Sequence, residues 1–131
     1  MWGIIPIPVQ PVWPWVTYNY YNGSDWDSRY AYTTDGGSSW HSDNVLASGS
    51  GDQGGTDIEC AGFGSNFTRA VFLNDVYGAY KLDYRSNSGA NPTSWSSPIT
   101  LSDTFVFGGM MPKITNYGGA GGGNSGLAAF P

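Results

Sequence analysis

The apolar and aromatic runs in this chain are short, mostly alternate with polar residues and are separated by turn-forming residues. Val16-Thr17-Tyr18-Asn19-Tyr20, Ser28-Arg29-Tyr30-Ala31-Tyr32, Ala70-Val71-Phe72-Leu73 and Ala79-Tyr80-Lys81-Leu82-Asp83-Tyr84 are rich in aromatic and β-branched residues. Alternation of this kind places successive side chains on opposite faces of a strand. Between the runs stand Asn22-Gly23-Ser24, Asp35-Gly36-Gly37, Gly49-Ser50-Gly51 and Ser86-Asn87-Ser88-Gly89, whose residue types favour tight turns. No ten-residue stretch shows apolar spacing at 3.6, and Glu59 is the only glutamate. Helical bundles and coiled coils are excluded. The chain reads as all-β, built from short strands.

Laying the strands out exposes a repeat. Tyr30-Ala31-Tyr32, a turn and Trp40 match Leu82-Asp83-Tyr84, a turn and Trp95. Leu46 and Leu101 each follow six residues after the tryptophan, and Asp57-Ile58-Glu59 matches Pro112-Lys113-Ile114. The offset grows from 52 (Tyr32 to Tyr84) to 56 (Ile58 to Ile114) because the second turn is longer. One period of about 55 residues holding four strands is the length of a propeller blade. The layout is a first unit near 1–50, a second near 51–104 and the start of a third at 105–131. Strands are expected near Trp15–Tyr21, Arg29–Thr34 and Asn44–Ala47, then near Asp57–Gly62, Arg69–Asn74, Ala79–Ser86 and Ser97–Ser102, and again from Lys113. The first strand of the first unit would be Ile4–Gln10, whose prolines confine it to an edge. A jelly roll or another β-sandwich is the alternative architecture.

Thr33-Thr34-Asp35-Gly36-Gly37-Ser38-Ser39-Trp40 resembles the Asp box, Ser/Thr-x-Asp-x-Gly-x-Thr/Ser-Trp, of the bacterial neuraminidase repeat family. The signature positions Thr33, Asp35, Gly37, Ser39 and Trp40 all match. The second copy departs, with Asn87 where the aspartate is expected and three extra residues before Trp95. The resemblance implies four-stranded blades of a sialidase-like propeller, in which this box is a structural device. On that reading Asp35 accepts hydrogen bonds from turn amides, Gly37 supplies a positive φ and Trp40 folds back into the core. The same repeat occurs in lectins, adhesins and glycan lyases, so it does not by itself imply sialidase activity.

Charge narrows the function classes. Five basic against ten acidic residues give a net charge of -5, where a nucleic-acid partner would want a basic face. No apolar run approaches the ~20 residues of a membrane span. Low charge with abundant Gly, Ser, Thr, Asn and Tyr leans toward an extracellular or cell-surface protein, of bacterial type, although Met1–Pro6 lacks the basic segment and long apolar stretch of a signal peptide. Cys60 is alone, a small hydrophobe rather than half of an intrachain disulfide.

Catalytic constellations are thin. A sialidase needs three arginines converging on one carboxylate, and the chain has only Arg29, Arg69 and Arg85, with Glu59 as the sole candidate base. Ser39, His41 and Asp43 are close in sequence, but a triad is a matter of spatial geometry. One His and one Cys cannot build a zinc site. Asp25 with Asp27, or Asp52 with Asp57, could share a calcium ion, although solvated turn residues are the favoured reading. No catalytic residue, metal or cofactor is assigned. The sequons at Asn22 and Asn66 matter only in a eukaryotic secretory host.

Aromatic residues are the remaining candidates. Tyr18, Tyr20, Tyr21 and Trp26 crowd a hairpin whose apex is Asn22–Asp25. Tyr18 and Tyr20 share one strand face and are expected in the core between units. Tyr21 and Trp26, flanked by Asn22 and Asp25, are expected to bind sugar, whose C–H faces stack on aromatic rings. The leading expectation is therefore a non-catalytic glycan-binding or adhesive module. A self-assembling structural protein is the second, and a fragment of a sialidase-like hydrolase the third. About 55 residues per blade goes into the chain roughly 2.4 times, whereas a closed propeller needs at least four blades. The missing strands would come from a longer polypeptide or from other copies of this chain, with Ile4–Gln10 and Leu127–Phe130 as the natural donors.

Overall fold

The computed structural model describes Gly3 and residues 13–60, 68–76, 79–88, 91–105, 112–116 and 126–129. Those residues hold strands and turns and no helix. Strands β1 (Trp15–Tyr21), β2 (Trp26–Tyr32) and β3 (His41–Ala47) make a first sheet. The second sheet contains β4 (Gln53–Cys60), β5 (Thr68–Val76), β6 (Ala79–Asn87) and β7 (Ile99–Phe105), and β8 (Lys113–Asn116) pairs with β9 (Gly126–Ala129). Each sheet is an antiparallel meander in which chain neighbours are sheet neighbours. The expected strands at Trp15–Tyr21 and from Lys113 coincide with β1 and β8. β2 starts three residues before the expected strand, at Trp26, which makes the β1–β2 hairpin tight. The expected strand Ile4–Gln10, Asn66 of the second sequon and Phe130 lie outside the described residues.

Strand alternation decides which residues meet. Trp15 pairs with Tyr32 and Thr17 with Tyr30, so these four side chains share one face. Tyr30, Tyr32 and Leu46 form a buried cluster with Ala70 and Phe72 of the second sheet, and Trp15 and Trp95 pack against it. Burying such side chains contributes about 1.5–3 kcal/mol each. The rings also contact one another: Trp15 meets Trp95 edge-on at 5.8 Å, and Tyr30 meets Trp95 at 5.6 Å. Val71, Leu73 and Leu82 face the other way and pack with Ile114 of β8. The three sheets therefore stack in chain order, the second in the middle.

Polar bonds stitch the stack. Tyr30 Oη donates to the Pro92 carbonyl at 3.0 Å. Arg85 Nε donates to the Ser96 carbonyl at 2.7 Å, and its Nη1 donates to the carbonyl of Leu46 across the sheet junction. Desolvation pushes the Tyr30 phenol pKa up and the Arg85 pKa down. β4 carries a bulge between Gly54 and Asp57. Gly55 sits there at φ +58°, and a Cβ would meet Leu73 and Pro112 at 3.4 Å. Beyond it, Thr56 bonds toward the first sheet, accepting from Thr17 Oγ1 at its carbonyl and sharing a hydroxyl–hydroxyl bond with Ser28. Its neighbour Asp57 reaches the opposite way, accepting from the Ile114 amide at 2.8 Å and pairing with Lys113.

Two expectations are corrected. Trp40 does not fold into the core but is exposed; only Trp95 has a sheet packed over it. Tyr18 and Tyr20 are not packed between units. Their strand parity puts them on the face of the first sheet turned away from the second, where Tyr20 is exposed.

Candidate functional site

The β1–β2 hairpin holds the exposed aromatic pair. Tyr21 and Trp26 are directly opposite in the ladder, and their rings lie 5.3 Å apart, tilted by 51°. A four-residue apex closes the hairpin. Asn22 Oδ1 accepts the amides of Ser24 and Asp25 at 2.9 and 3.0 Å, and the Asn22 amide donates to the Asp25 carbonyl at 3.0 Å. Asn22 Nδ2 donates to Asp27 at 3.2 Å. Gly23 supplies the left-handed position at φ +107°. Asparagine suits this turn because its side chain mimics a backbone acceptor. Tyr21 Oη donates to the Gly23 carbonyl, and the Trp26 amide donates to Asp52 Oδ1 at 3.1 Å. Tyr21 is thus held by its hydroxyl and Trp26 through its backbone, while large parts of both rings meet water.

Of the four expected sugar-binding residues, the structure brings Tyr21 and Trp26 together. Asn22 serves the turn with both ends of its side chain, and Asp25 enters through its backbone. Asp52, from the segment between β3 and β4, was weighed only with Asp57 as a calcium pair and was not among these four. Nothing local marks it, because its approach to Trp26 depends on the way β3 leads into β4.

A second polar cluster also escaped sequence reasoning. On the outer face of the first sheet, the Arg29 guanidinium lies 3.7 Å from the Tyr20 ring centre. It pairs with Asp27 at 3.5 Å and Asp43 at 3.8 Å. Asp43 is the one described non-glycine residue at positive φ, +62°, in a bulge where β3 has one residue more than β2. Tyr18 holds it there: its Oη accepts the Asp43 amide at 2.9 Å and donates to the carboxylate at 3.1 Å. The only sequence signal is that Asp tolerates the left-handed region better than most residues.

The Thr33–Trp40 turn works as a hydrogen-bonded knot. Asp35 accepts from the Ser39 amide at 2.9 Å and the Ser39 hydroxyl at 2.6 Å. Thr33 Oγ1 donates to Asp35 at 2.7 Å and accepts the Gly37 amide at 3.0 Å. The Ser39 hydroxyl, with the other donors, holds the Asp35 carboxyl well below the usual carboxylate range. Gly36 and Gly37 have φ of +70° and +96°.

The other constellations come apart. Ser39 is bound to Asp35, His41 stacks on Tyr32 at 4.8 Å and Asp43 is held by Tyr18, so no triad forms among them. The arginines are dispersed: Arg29 is on the outer face of the first sheet, Arg85 bridges two sheets, and Arg69 is buried opposite Glu59 in the β4–β5 ladder. Among the described residues no group of three or more His, Cys, Asp or Glu is placed to hold a metal ion. Burial pushes the Cys60 thiol pKa up, opposite to the shift that creates a reactive thiolate. No family model, curated protein or solved structure matches this chain.

Proposed function

We propose that the chain is a non-catalytic glycan-binding module of a secreted or surface protein, with Tyr21 and Trp26 as its sugar platform. The observation that carries this reading is the exposed, tilted Tyr21–Trp26 pair on a braced hairpin. Two aromatic planes fixed before binding lower the ordering cost that weakens most sugar sites. Asp52 and the apex backbone add polar groups at the platform edge, where sugar hydroxyls need partners. The architecture that goes with this reading is a stack of sialidase-like blades. Meander connectivity, stacking in chain order and the Asp-box knot support that architecture.

A glycan array followed by titration of the best ligand, read by tryptophan fluorescence, tests the function. Trp26→Ala should weaken binding at least tenfold and Tyr21→Ala nearly as much, while Trp40→Ala should leave it unchanged. An array without any bound glycan, or equal affinity in the Trp26 and Trp40 variants, would sink the reading.

A further inference from the structure

Equivalent positions in the two repeats have different surroundings. Val16 pairs with Ala31, and Phe72 pairs with Asp83, so the offset of 52 that joins Tyr32 to Tyr84 makes Val16 and Phe72 equivalent. Phe72 is 1% exposed beneath the first sheet, whereas Val16 is 49% exposed. Trp95 packs on Trp15 and Tyr30, while Trp40 is 45% exposed. On the opposite faces the order reverses. Leu46 is 0% exposed against the second sheet, and its equivalent Leu101 is 48% exposed. In each pair the member at the junction of the first and second sheets is covered and the other member is bare.

The two bare patches are the two halves of one kind of contact. The outer face of the first sheet carries Val16 and Val45, with the exposed Trp40 just before β3. β8 covers the β4–β5 side of the second sheet and leaves Ile99 and Leu101 of β7 exposed. Within one chain, the Leu46-type face already sits on the Trp95-type face. A contact of the same kind, on the β7 part that β8 leaves open, joins two chains.

We propose that a second copy of this chain docks head-to-tail, its outer first-sheet face seated on the exposed β7 side of the second sheet. The contact is heterologous, since different patches meet, so it leaves one open patch at each end and propagates to a ring or a filament. It is independent of the sugar platform, which uses neither patch.

Val45→Lys blocks one patch and Leu101→Lys the other, both at solvent-exposed positions, with circular dichroism to confirm the fold. Sedimentation of the wild type should show a mass that rises with concentration through the micromolar range. Each variant alone should stay near 14.0 kDa. An equimolar mixture should form dimers and nothing larger, because each variant supplies the patch the other lacks. A wild type that remains monomeric overturns the proposal. So does association of Leu101→Lys alone, which would mean that two outer faces pair with each other. Removal of residues 1–12 that turns a monomer into an associating species would show that this segment covers the outer face, and would overturn it too.

Discussion

The turn after β2 and the turn after β6 do the same job with different chemistry. In the first, the charged Asp35 gathers the Ser39 amide and hydroxyl while Thr33, fully buried, reaches up from the strand end. In the second, the acceptor is the neutral Asn91, which takes the Thr93 amide and hydroxyl at 2.9 Å each. Asn87, also buried, reaches up to the Asn91 carbonyl at 2.7 Å. Asn87 therefore works as Thr33 does, and the aspartate's role has moved four residues on, into the longer loop. The tryptophans that follow differ for another reason. Trp95 has a sheet over it and Trp40 has none, so a turn motif places its tryptophan while the neighbouring sheet decides whether it is core.

The largest expected effect separates the tryptophans. Trp95→Ala removes contacts with Trp15 and Tyr30 and should cost about 3 kcal/mol, lowering Tm by roughly 10 °C. Trp40→Ala should stay within about 0.5 kcal/mol in dilute solution. Similar losses in thermal melts of both variants would break the comparison. Next come the strand-end residues: Thr33→Ala strips a buried acceptor from the Gly37 amide and should cost about 1–2 kcal/mol. Asn87→Ala should lose a similar amount in urea unfolding if the two residues have one role.

The smallest effect sharpens the contrast between charged and neutral knots. The folded-state pKa of Asp35 is depressed, so its contribution is complete above the ordinary aspartate value near 3.9 and is lost as pH falls through the folded value. The stability gap between wild type and Asp35→Asn should hold constant from neutral pH to about 5 and shrink only in stronger acid. Asn91→Ala should shift stability equally at every pH, because an amide does not titrate. A gap for Asp35→Asn that is already closing near neutral pH would contradict the hydrogen bonding at Ser39.

Strand positions were legible because alternation and turn residues act locally. Val16–Tyr20 reads as a strand and Thr33–Trp40 as a tight turn with Gly37 in the left-handed region; that Gly36 joins it there came from the structure. Face assignment was not legible. Tyr18 and Tyr20 look as apolar as Trp15 and Tyr30, and nothing in their own segment says which side receives the second sheet. Long-range pairs were hidden for the same reason: Asp52 meets the Trp26 amide, and Arg85 meets the Leu46 carbonyl, only after the sheets stack. The bulge at Asp43 needed Tyr18 to hold it, a partner 25 residues away.

The opposed bonds of Thr56 and Asp57 bear on how the chain avoids mispairing. Glycine-rich strands are weakly held in register, and a slip of one residue turns every side chain to the other side. β4 begins Gln53-Gly54-Gly55, the composition most open to such a slip. A one-residue error would exchange the two neighbours, turning the carboxylate toward the first sheet and leaving the Ile114 amide and Lys113 without their acid. The misaligned strand loses its bonds to β8, so the register of β4 is checked by the sheet that follows it.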